Sequence, residues 1–360
     1  MFRGELKASI VKKAIESGKA EKLNEEIEYI RFGKPYGKIE RGTVITKEKI
    51  IWGYPHIPRI FTLKNGIDRN IKTDTFYIEE KIDGYNLRIA SIGGEIFAFT
   101  RGGFLDPFAT EKVRDMRELK KFFEDNPSLV VCCEMIGNTP FTKPTEDFDV
   151  KLYVFDIDNG SSYLAPLEKY SLLKKYSINS VPFLGRYNKN QIDVVKKLAF
   201  YLNKGKREGM VIKSSDRAQV VKYVTPAADL EDIENGAYTF FDMPPGFFMQ
   251  RIFRSSFFIR DFEFDREEYA AKLGAAFYRG LARAISDVAS NREIEEEFQL
   301  KSIDKKSFER LVAHMGKEIG IKIIYSKKEE DNKWSIRFSK VYKRTTKLIR
   351  DFVYGRSQID

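Results

Sequence analysis

One lysine gives the first indication of chemistry in this sequence. Lys81 ends the strand-like run of residues 75–80 and stands just before Asp83 and Gly84. A lysine amine becomes a nucleophile only when burial or neighbouring cations remove its proton. A strand end beside a glycine turn can hold such a side chain at the edge of a cleft. The spacing Lys-x-Asp-Gly also occurs in ordinary surface turns, so this segment alone indicates either a nucleophile or a solvated turn.

Residue types that bind phosphate, a metal or a purine base recur at the ends of strand-like runs downstream of Lys81. They are Asn86, Arg101, Glu134, Phe155, Glu208, Lys213 and Lys222. Each of them alone is typical of a solvated charge or a core aromatic. Together they supply carboxylates for a divalent metal, cations for phosphates and an aromatic face for a base. The set favours transfer of a nucleotidyl group to Lys81, with phosphates bound by side chains because no Walker-type glycine loop is present.

Strands and helices must position these side chains. Short β-rich runs alternate with glycine turns between residues 75 and 224, and helical patterns intervene near 110–124, 166–176 and 190–204. This pattern predicts antiparallel sheets with packed helices, the α+β fold class. We predict four domains, namely an N-terminal module at 1–60, a catalytic domain at 61–228, a helical segment at 229–300 and a small α/β C-terminal domain at 301–360.

Composition restricts the class of partner and the compartment. The formal charge of +10 and the pI near 9.2 favour a polyanionic partner, either nucleic acid or an acidic membrane surface. We predict no membrane span and no signal peptide, since apolar runs of the required length are missing. Cys132 and Cys133 are adjacent, so they cannot form a disulfide framework or a spaced zinc site. A reducing, cytoplasmic location is therefore expected.

The order of the motifs resembles that of the covalent nucleotidyltransferases, a superfamily of DNA ligases, RNA ligases and mRNA capping enzymes. KIDGYN (81–86) is similar to its motif I, TRGG (100–103) to motif Ia, CEMIG (133–137) to motif III, VFD (154–156) to motif IIIa, EGMVIK (208–213) to motif IV and VVKY (220–223) to motif V. The likeness covers about residues 75–225. It implies a nucleotidyltransferase core with antiparallel sheets and helices similar to those of ATP-grasp proteins, ATP as the substrate, and Mg²⁺ or Mn²⁺ as the metal.

The resemblance also implies a role for each matching residue. Lys81 would attack the α-phosphate of ATP, AMP would pass to an RNA 5′-phosphate, and a 3′-hydroxyl would displace it. The implied catalytic residues are Lys81, Glu134, Glu208, Lys213 and Lys222, with a metal at Glu134 and Glu208. The implied nucleotide-binding residues are Glu79 at the adenine, Phe155 stacked on it, Arg101 and Glu134 at the ribose, Lys213 and Lys222 at the phosphate, and Lys81, Ile82 and Asn86 around them.

Asn86 separates the branches of the superfamily. RNA ligases carry asparagine at the end of motif I, where DNA ligases and capping enzymes usually carry arginine. The flanking regions look like those of archaeal ATP-dependent RNA ligases, which are homodimers that can circularise single-stranded RNA. We therefore predict an ATP-dependent RNA ligase that acts on single-stranded RNA ends and forms a homodimer. The alternatives are a DNA ligase, a capping-type guanylyltransferase or, from another class, a basic RNA-binding protein without catalysis.

Three features have two interpretations each. Motif V often has two lysines spaced K-x-K, whereas here Lys222 stands alone, so either Lys213 acts as its partner or phosphate binding differs. The Phe-rich passage 238–265 is either an internal core between domains or an apolar surface that a second subunit covers. The C-terminal cations either follow an RNA backbone or form a solvated helix face. These cations are Lys340, Lys343, Arg344, Lys347 and Arg350.

Overall fold

The N-terminal module packs directly on the catalytic domain. The structure is a computed structural model that describes residues 6–315, 320–329 and 333–357. The first elements are α1 (Ala8–Glu16), β1 (Ala20–Asn24), β2 (Glu28–Phe32), β3 (Val44–Ile45) and β4 (Ile50–Ile51), and the four strands form one antiparallel sheet. Tyr29 and Ile51 belong to the same hydrophobic cluster as Phe97 and Phe99 of the next domain. The module predicted at 1–60 therefore shares its core with the catalytic domain.

Two antiparallel sheets form the catalytic domain. Its strands are β5 (Thr75–Lys81), β6 (Tyr85–Ile92), β7 (Glu95–Thr100), β8 (Val130–Gly137), β9 (Val150–Asp158), β10 (Phe183–Asn188), β11 (Gly209–Ser214) and β12 (Val220–Val224). Its helices are α2 (Leu63–Asn70), α3 (Pro107–Asp115), α4 (Arg117–Asp125), α5 (Pro166–Lys175) and α6 (Ile192–Lys204). The strand orders are β7-β6-β8-β9 and β10-β5-β11-β12. The predicted α+β class with antiparallel sheets is confirmed, although the sequence pattern did not indicate β10.

The period of two along a strand explains why core and functional residues alternate. In β5, Phe76 and Ile78 belong to the hydrophobic cluster that includes residues of α2 and α6, whereas Glu79 and Lys81 point to the opposite face. In β8, the neighbours of Glu134 on both sides belong to the other large cluster. The polar faces of the two sheets together line one pocket, which contains most of the predicted site residues.

The rest of the chain adds a helical segment and a second small sheet. Its elements are α7 (Pro226–Tyr238), α8 (Phe247–Asp261), α9 (Arg266–Ala289), β13 (Glu295–Asp304), α10 (Lys305–Met315), β14 (Gly320–Lys328), β15 (Lys333–Val341) and α11 (Lys343–Val353), with strand order β13-β15-β14. Phe298 and Phe338 share a hydrophobic cluster with Phe108 and Phe122 of the catalytic domain. The domain boundary predicted at 301 falls inside β13, which begins at Glu295. None of the helices in the described ranges is long and apolar enough to cross a membrane.

The Phe-rich passage is partly core and partly surface. Phe258 is buried, and its ring stacks on those of Tyr223 and Phe262. Met249 and Phe253 are 69% and 56% exposed. The interpretation as an internal core therefore holds for one side of α8. The other side of this helix is an exposed apolar surface. The homodimer stays a prediction.

Lys340 does not belong to an RNA-facing basic surface. It lies in β15, is 5% exposed, and donates a hydrogen bond to the carbonyl oxygen of Pro140 at 2.6 Å. Its ammonium also lies over the rings of Phe141 and Phe298. Both interpretations of the C-terminal cations are therefore wrong for Lys340, because it is buried in a strand and joins the C-terminal sheet to the catalytic domain. The other cations of that set lie on α11.

Candidate active site

The two catalytic sheets enclose a pocket that collects almost all of the predicted site residues. Its cavity is about 100 Å³. Among its lining residues are Glu79, Lys81, Ile82, Asn86, Arg101, Glu134, Phe155, Lys213 and Lys222. The remaining one, Glu208, lines a larger cavity of about 1560 Å³. It is joined to the pocket through Lys81.

Lys81 and Glu208 form an ion pair where the two cavities meet. Lys81 is the last residue of β5 and pairs in the ladder with Gly209, so Glu208 lies beside the end of the strand. The Lys81 Nζ donates to Glu208 Oε2 at 2.6 Å, and the side chains are 22% and 19% exposed. A Cβ at position 209 would lie 2.1 Å from the carbonyl oxygen of Tyr223. Only glycine therefore allows the strand to place Glu208 so close to Lys81.

Glu134 and Asn86 present buried acceptors without donors. They are cross-strand partners in β8 and β6, and Asn86 Nδ2 donates to Glu134 Oε1 at 3.2 Å. Glu134 Oε2 and Asn86 Oδ1 have no hydrogen-bond partner among the described residues. Burial raises the pKa of Glu134 to about 7, against the lowering effect of Lys81. Buried oxygens of this kind are expected to meet a ligand that brings donors or a cation.

Positive charge is concentrated on the other side of Lys81. Burial lowers the pKa of Lys222 to about 8, and Arg59, Lys81 and Arg101 lower it further. Arg59 was not among the predicted site residues. Its backbone segment pairs with β12, since the Lys222 N–H donates to the carbonyl of Pro58 and Lys222 accepts from the N–H of Ile60. A group of cations held this close together suits a polyphosphate or a nucleic acid.

A buried ionic network fixes Glu79 at the floor of the pocket. Glu79 Oε1 accepts from Lys169 Nζ at 2.6 Å and from the Tyr170 hydroxyl at 2.9 Å. Lys213 Nζ lies 2.6 Å from Oε2 as an ion pair, although the geometry is not that of a hydrogen bond. Burial and then Lys213 lower the pKa of Lys169 to about 8, although Glu79 opposes this. Lys169 and Tyr170 lie on α5, where no sequence pattern set them apart.

Asp156 is the second carboxylate of this network. It accepts from Lys213 at 3.0 Å, from Nε and Nη2 of the Arg217 guanidinium and from the Tyr54 hydroxyl at 2.5 Å. Burial would raise the pKa of Asp156, but Arg217, Lys213 and Lys169 hold it well below the usual range. Arg217 has a φ of 62° although it is not a glycine. This strained conformation is maintained in a buried residue that contacts Asp156.

The network bears on the implied role of Lys213. Its ammonium donates to the carbonyl oxygen of Phe155 at 2.6 Å, in addition to its contacts with Glu79 and Asp156. The side chain is 1% exposed and has three oxygen neighbours. Binding of phosphate by Lys213 stays a prediction, and Lys222 is the more accessible of the two lysines.

Aromatic and aliphatic side chains form the walls of the pocket. The rings of Tyr54 and Phe155 meet edge to face with centroids 5.0 Å apart. Ile57 and Val211 also line the pocket. Such walls suit a flat purine base. Tyr54 and Ile57 come from the N-terminal module, so the segment before residue 60 helps to form the site, which the sequence did not indicate.

Comparison with known proteins identifies the family. The RNA ligase family model matches residues 74–224, and the model of the Ligase Pab1020 C-terminal region matches residues 236–356. An uncharacterised protein of Methanocaldococcus jannaschii is 31% identical over 351 residues, which cover 92% of this chain and 88% of that protein. Two forms of an archaeal ATP-dependent RNA ligase superpose with a TM-score of 0.89, at 28% and 27% identity, over 99% of this chain and 98% of theirs. The chain belongs to this family of ATP-dependent RNA ligases.

This RNA ligase is also similar to a protein from Aquifex aeolicus that is provisionally described as an ATP-dependent DNA ligase. The TM-score is 0.91 at 34% identity, and the match covers 98% of this chain and 100% of that chain. Family membership makes the chain an ATP-dependent ligase enzyme. It gives no support to the alternatives of a capping-type guanylyltransferase and of an RNA-binding protein without catalysis.

Proposed function

We propose that this ligase joins RNA 5′-phosphate and 3′-hydroxyl ends through AMP bound covalently to Lys81. The observation that carries the proposal is the ion pair of Lys81 and Glu208 at the meeting point of two cavities. One cavity has aromatic and aliphatic walls that suit a purine. The other is larger, about 1560 Å³, and has room for a polynucleotide. A nucleophile between them can receive AMP from one side and deliver it to the other.

The first step requires Lys81 to lose a proton. Glu208 already accepts a hydrogen bond from the ammonium, and burial raises the pKa of Glu208, so this carboxylate suits the role of proton acceptor. Lys222 lies nearby in a group of cations. The amine nitrogen then attacks the α-phosphorus of ATP. An N–P bond forms, the bond to pyrophosphate breaks, and the cations stabilise the negative charge that develops.

The second and third steps return the enzyme to its starting state. An oxygen of the RNA 5′-phosphate attacks the phosphorus of the lysyl-AMP. The N–P bond breaks, Lys81 leaves as an amine and takes up a proton, and the RNA carries AMP at its 5′ end. The 3′-hydroxyl of the other RNA end then attacks the 5′-phosphate, and AMP leaves as the phosphodiester forms. Glu208 is the residue best placed to accept and return protons at Lys81.

The residues of the pocket fit a divalent cation of the Mg²⁺ or Mn²⁺ type. Glu134 Oε2 and Asn86 Oδ1 are buried hard oxygens without donors in the described part of the chain. The same part contains no group of three or more His, Cys, Asp or Glu that could hold a metal. Mg²⁺ is usually held by one or two carboxylates together with substrate phosphates, and Glu134 and Glu208 would provide these. The bound cation would neutralise charge on the phosphates.

The remaining pocket residues have roles that their positions support. Phe155 offers a ring for stacking on adenine, and the fixed carboxylate of Glu79 is an acceptor for its amino group. Asn86 and Glu134 suit the ribose hydroxyls, since both have an oxygen without a donor. Arg101 follows β7 at the rim, where a guanidinium can reach phosphate or ribose. Ile82 completes the wall beside Lys81.

The proposal extends to the substrate, the assembly and the location. We assign single-stranded RNA ends as substrate and circularisation as one outcome, as in the prediction from sequence. The helical segment exposes Met249 and Phe253 and would form part of a homodimer surface. A cytoplasmic location agrees with Cys132 and Cys133, which are free thiols that a reducing compartment preserves.

Nucleophilic catalysis by Lys81 is tested by covalent labelling. With ATP labelled at the α-phosphate, the wild-type protein is expected to retain label after denaturation, and Lys81→Ala to retain none. Lys64→Ala, which removes an exposed lysine of α2, is the matched control. A Lys81→Ala protein labelled as fully as wild type would exclude the mechanism. Incubation with ATP and a 5′-phosphorylated single-stranded RNA should then give circles that resist exonuclease.

DNA sealing is a second candidate activity, because the similar protein from Aquifex aeolicus is provisionally described as an ATP-dependent DNA ligase. Both activities share the lysyl-AMP step, so labelling does not separate them. The two activities are separated by measuring how fast the same adenylated enzyme seals 5′-phosphorylated RNA and how fast it seals nicked duplex DNA. Faster sealing of the nicked DNA would replace RNA by DNA as the substrate.

A further inference from the structure

Two arginines outside the segment matched by the RNA ligase family model line the larger cavity beside Glu208. Arg59 lies near the end of the N-terminal module, and Arg254 lies on α8. The matched segment covers residues 74–224. The pair is therefore contributed by the two parts of the chain that flank the catalytic core.

Arg59 is held at the junction of the two cavities. It pairs through its backbone with Lys222 in a parallel bridge, and the Lys222 side chain lines the nucleotide pocket. The Arg59 Nε is buried without a hydrogen-bond partner in the described ranges. Burial lowers the pKa of Arg59, and the nearby charge of Arg254 lowers it further. A buried guanidinium donor near a second cation needs an anion to satisfy it.

Arg254 is fixed with one edge of its guanidinium available. Its side chain is 9% exposed, and its Nε and Nη2 both donate to Asp229, which is itself 1% exposed. The Ser255 hydroxyl also donates to Asp229 at 3.1 Å. Asp229 thus holds the guanidinium in one orientation and does not engage Nη1. A second anion can bind at that edge, as guanidinium groups commonly bind phosphate.

Nearby acidic groups are largely paired with other cations. Asp232 accepts from Arg251 at 2.8 Å, and Glu231 lies 3.4 Å from Lys143. Asp83, two residues after Lys81 in the sequence, also lines the cavity. Asp229 of α7 and Glu208 do act on the charge of Arg59, but each has a smaller effect than the opposing charge of Arg254.

We propose that Arg59 and Arg254 together bind the 5′-phosphate of the donor RNA strand. This inference rests on the proposed function and adds the residues that recognise the donor end. The nucleotide-binding residues proposed above line the small pocket, whereas the two arginines line the large cavity, which has room for a chain of nucleotides. A phosphate held there lies next to Glu208 and so next to Lys81, where it must arrive to take AMP.

The test separates the two chemical steps. Enzyme is first charged with ATP and desalted, and the rate of AMP transfer to a 5′-phosphorylated single-stranded RNA is then measured without free ATP. The variants are Arg59→Met and the double variant Arg254→Met with Asp229→Asn, which avoids leaving a buried carboxylate unpaired. Arg260→Met, at an exposed position on the same helix, is the matched control. Formation of lysyl-AMP is measured in parallel on each protein.

Each variant is expected to raise the RNA concentration for half-maximal transfer about tenfold or more, as for loss of a charged hydrogen bond. The loss should exceed any loss in lysyl-AMP formation by a similar factor. The preference of wild type for 5′-phosphate over 5′-hydroxyl RNA in binding should also disappear. Equal losses in both steps would assign the arginines to ATP and overturn the inference. Equal weakening of phosphate and hydroxyl RNA would overturn it as well.

Failure of the proposed function has a different signature. A wild-type enzyme that forms lysyl-AMP but transfers none to RNA would reject RNA ligation, and this inference with it. If wild type transfers AMP and both variants transfer it equally well, RNA ligation stands and only the role of the arginines is rejected.

Discussion

Lys81 and Glu208 are 127 positions apart in the sequence, yet the Nζ of one lies 2.6 Å from Oε2 of the other. Pairing of β5 with β11 produces this contact, because Lys81 is opposite Gly209 in the ladder. The contact joins the KIDGYN segment (81–86) to the EGMVIK segment (208–213). It also places the proposed proton acceptor, Glu208, in hydrogen-bond contact with the proposed nucleophile, Lys81.

Glu208→Gln tests this relationship. Glutamine keeps the size of the side chain but cannot take the proton or hold a cation, so lysyl-AMP formation should fall about a hundredfold. Glu231→Gln changes an exposed carboxylate on the wall of the same cavity, and its rate of lysyl-AMP formation should fall less than about twofold. The rate of labelling by ATP at saturating metal is the measurement. Equal rates in Glu208→Gln and wild type would remove Glu208 from the mechanism.

Lys169 and Tyr170 should control the choice of nucleotide through Glu79. In Lys169→Met the carboxylate loses its shortest hydrogen bond, so we expect the KM for ATP to rise about tenfold and the preference for ATP over GTP to fall. Tyr170→Phe loses a hydrogen bond from a neutral donor, so the KM for ATP should rise about threefold. Lys175→Met, on the exposed side of α5, is the control. A lower melting temperature with an unchanged ATP to GTP ratio would mean a purely structural role.

Lysyl-AMP formation should depend on pH on both sides of neutrality. The pKa of Glu134 is about 7 and that of Lys222 about 8. As pH rises through 7, Glu134 becomes a carboxylate, which favours binding of a cation. As pH rises above 8, Lys222 loses the positive charge that favours binding of phosphate. The profile of kcat/KM for ATP should therefore be bell-shaped. Lys222→Arg should move the alkaline limb upward, because a guanidinium stays protonated. An unmoved limb would assign it to another group, such as Lys169.

Lys340 should make stability depend on pH in a defined window. Burial lowers its pKa to about 8 in the folded chain, whereas about 10.4 is expected when unfolded. Between these values the unfolded chain binds more protons, so the free energy of unfolding contributed by Lys340 rises with pH, by up to about 3 kcal/mol. Lys340→Met should lack this rise, and the exposed Lys347→Met should keep it. Chemical unfolding from pH 7 to 10 is the measurement, and parallel curves for wild type and Lys340→Met would contradict it.

The homodimer is tested on the exposed side of α8. Met249 and Phe253 are largely exposed, and the Phe253 ring contacts that of Phe61. A double variant, Met249→Glu with Phe253→Glu, should convert a dimer into a monomer in solution while leaving the melting temperature nearly unchanged, because neither side chain is in the core. Tyr201→Glu, on α6, is a surface control. A monomeric wild-type protein would refute the dimer, and a dimeric double variant would place its surface elsewhere.

Strand periodicity explains how much of the site could be predicted. Glu79 and Lys81 are two positions apart, as are Val211 and Lys213, and the period of two places each pair on one face of its strand. Motif order along the chain then identified the residues that share a pocket. Lys169, Tyr170 and Arg217 gave no such signal, because a helix and a turn bring them to Glu79 and Asp156 from outside the motifs.

The sequence by itself predicted Lys81 as the nucleophile, and it indicated the residue types around it, the α+β class and the resemblance to RNA ligases. These follow from local order, since strand periodicity and short motifs are properties of neighbouring residues. Only the tertiary structure decided which charges are paired. It set Glu208 on Lys81, enclosed Lys213 between two carboxylates and buried Lys340 under an aromatic pair. It also brought Tyr54 and Arg59 from the N-terminal module to the site, because long-range strand pairing and burial are not encoded in the spacing of one segment.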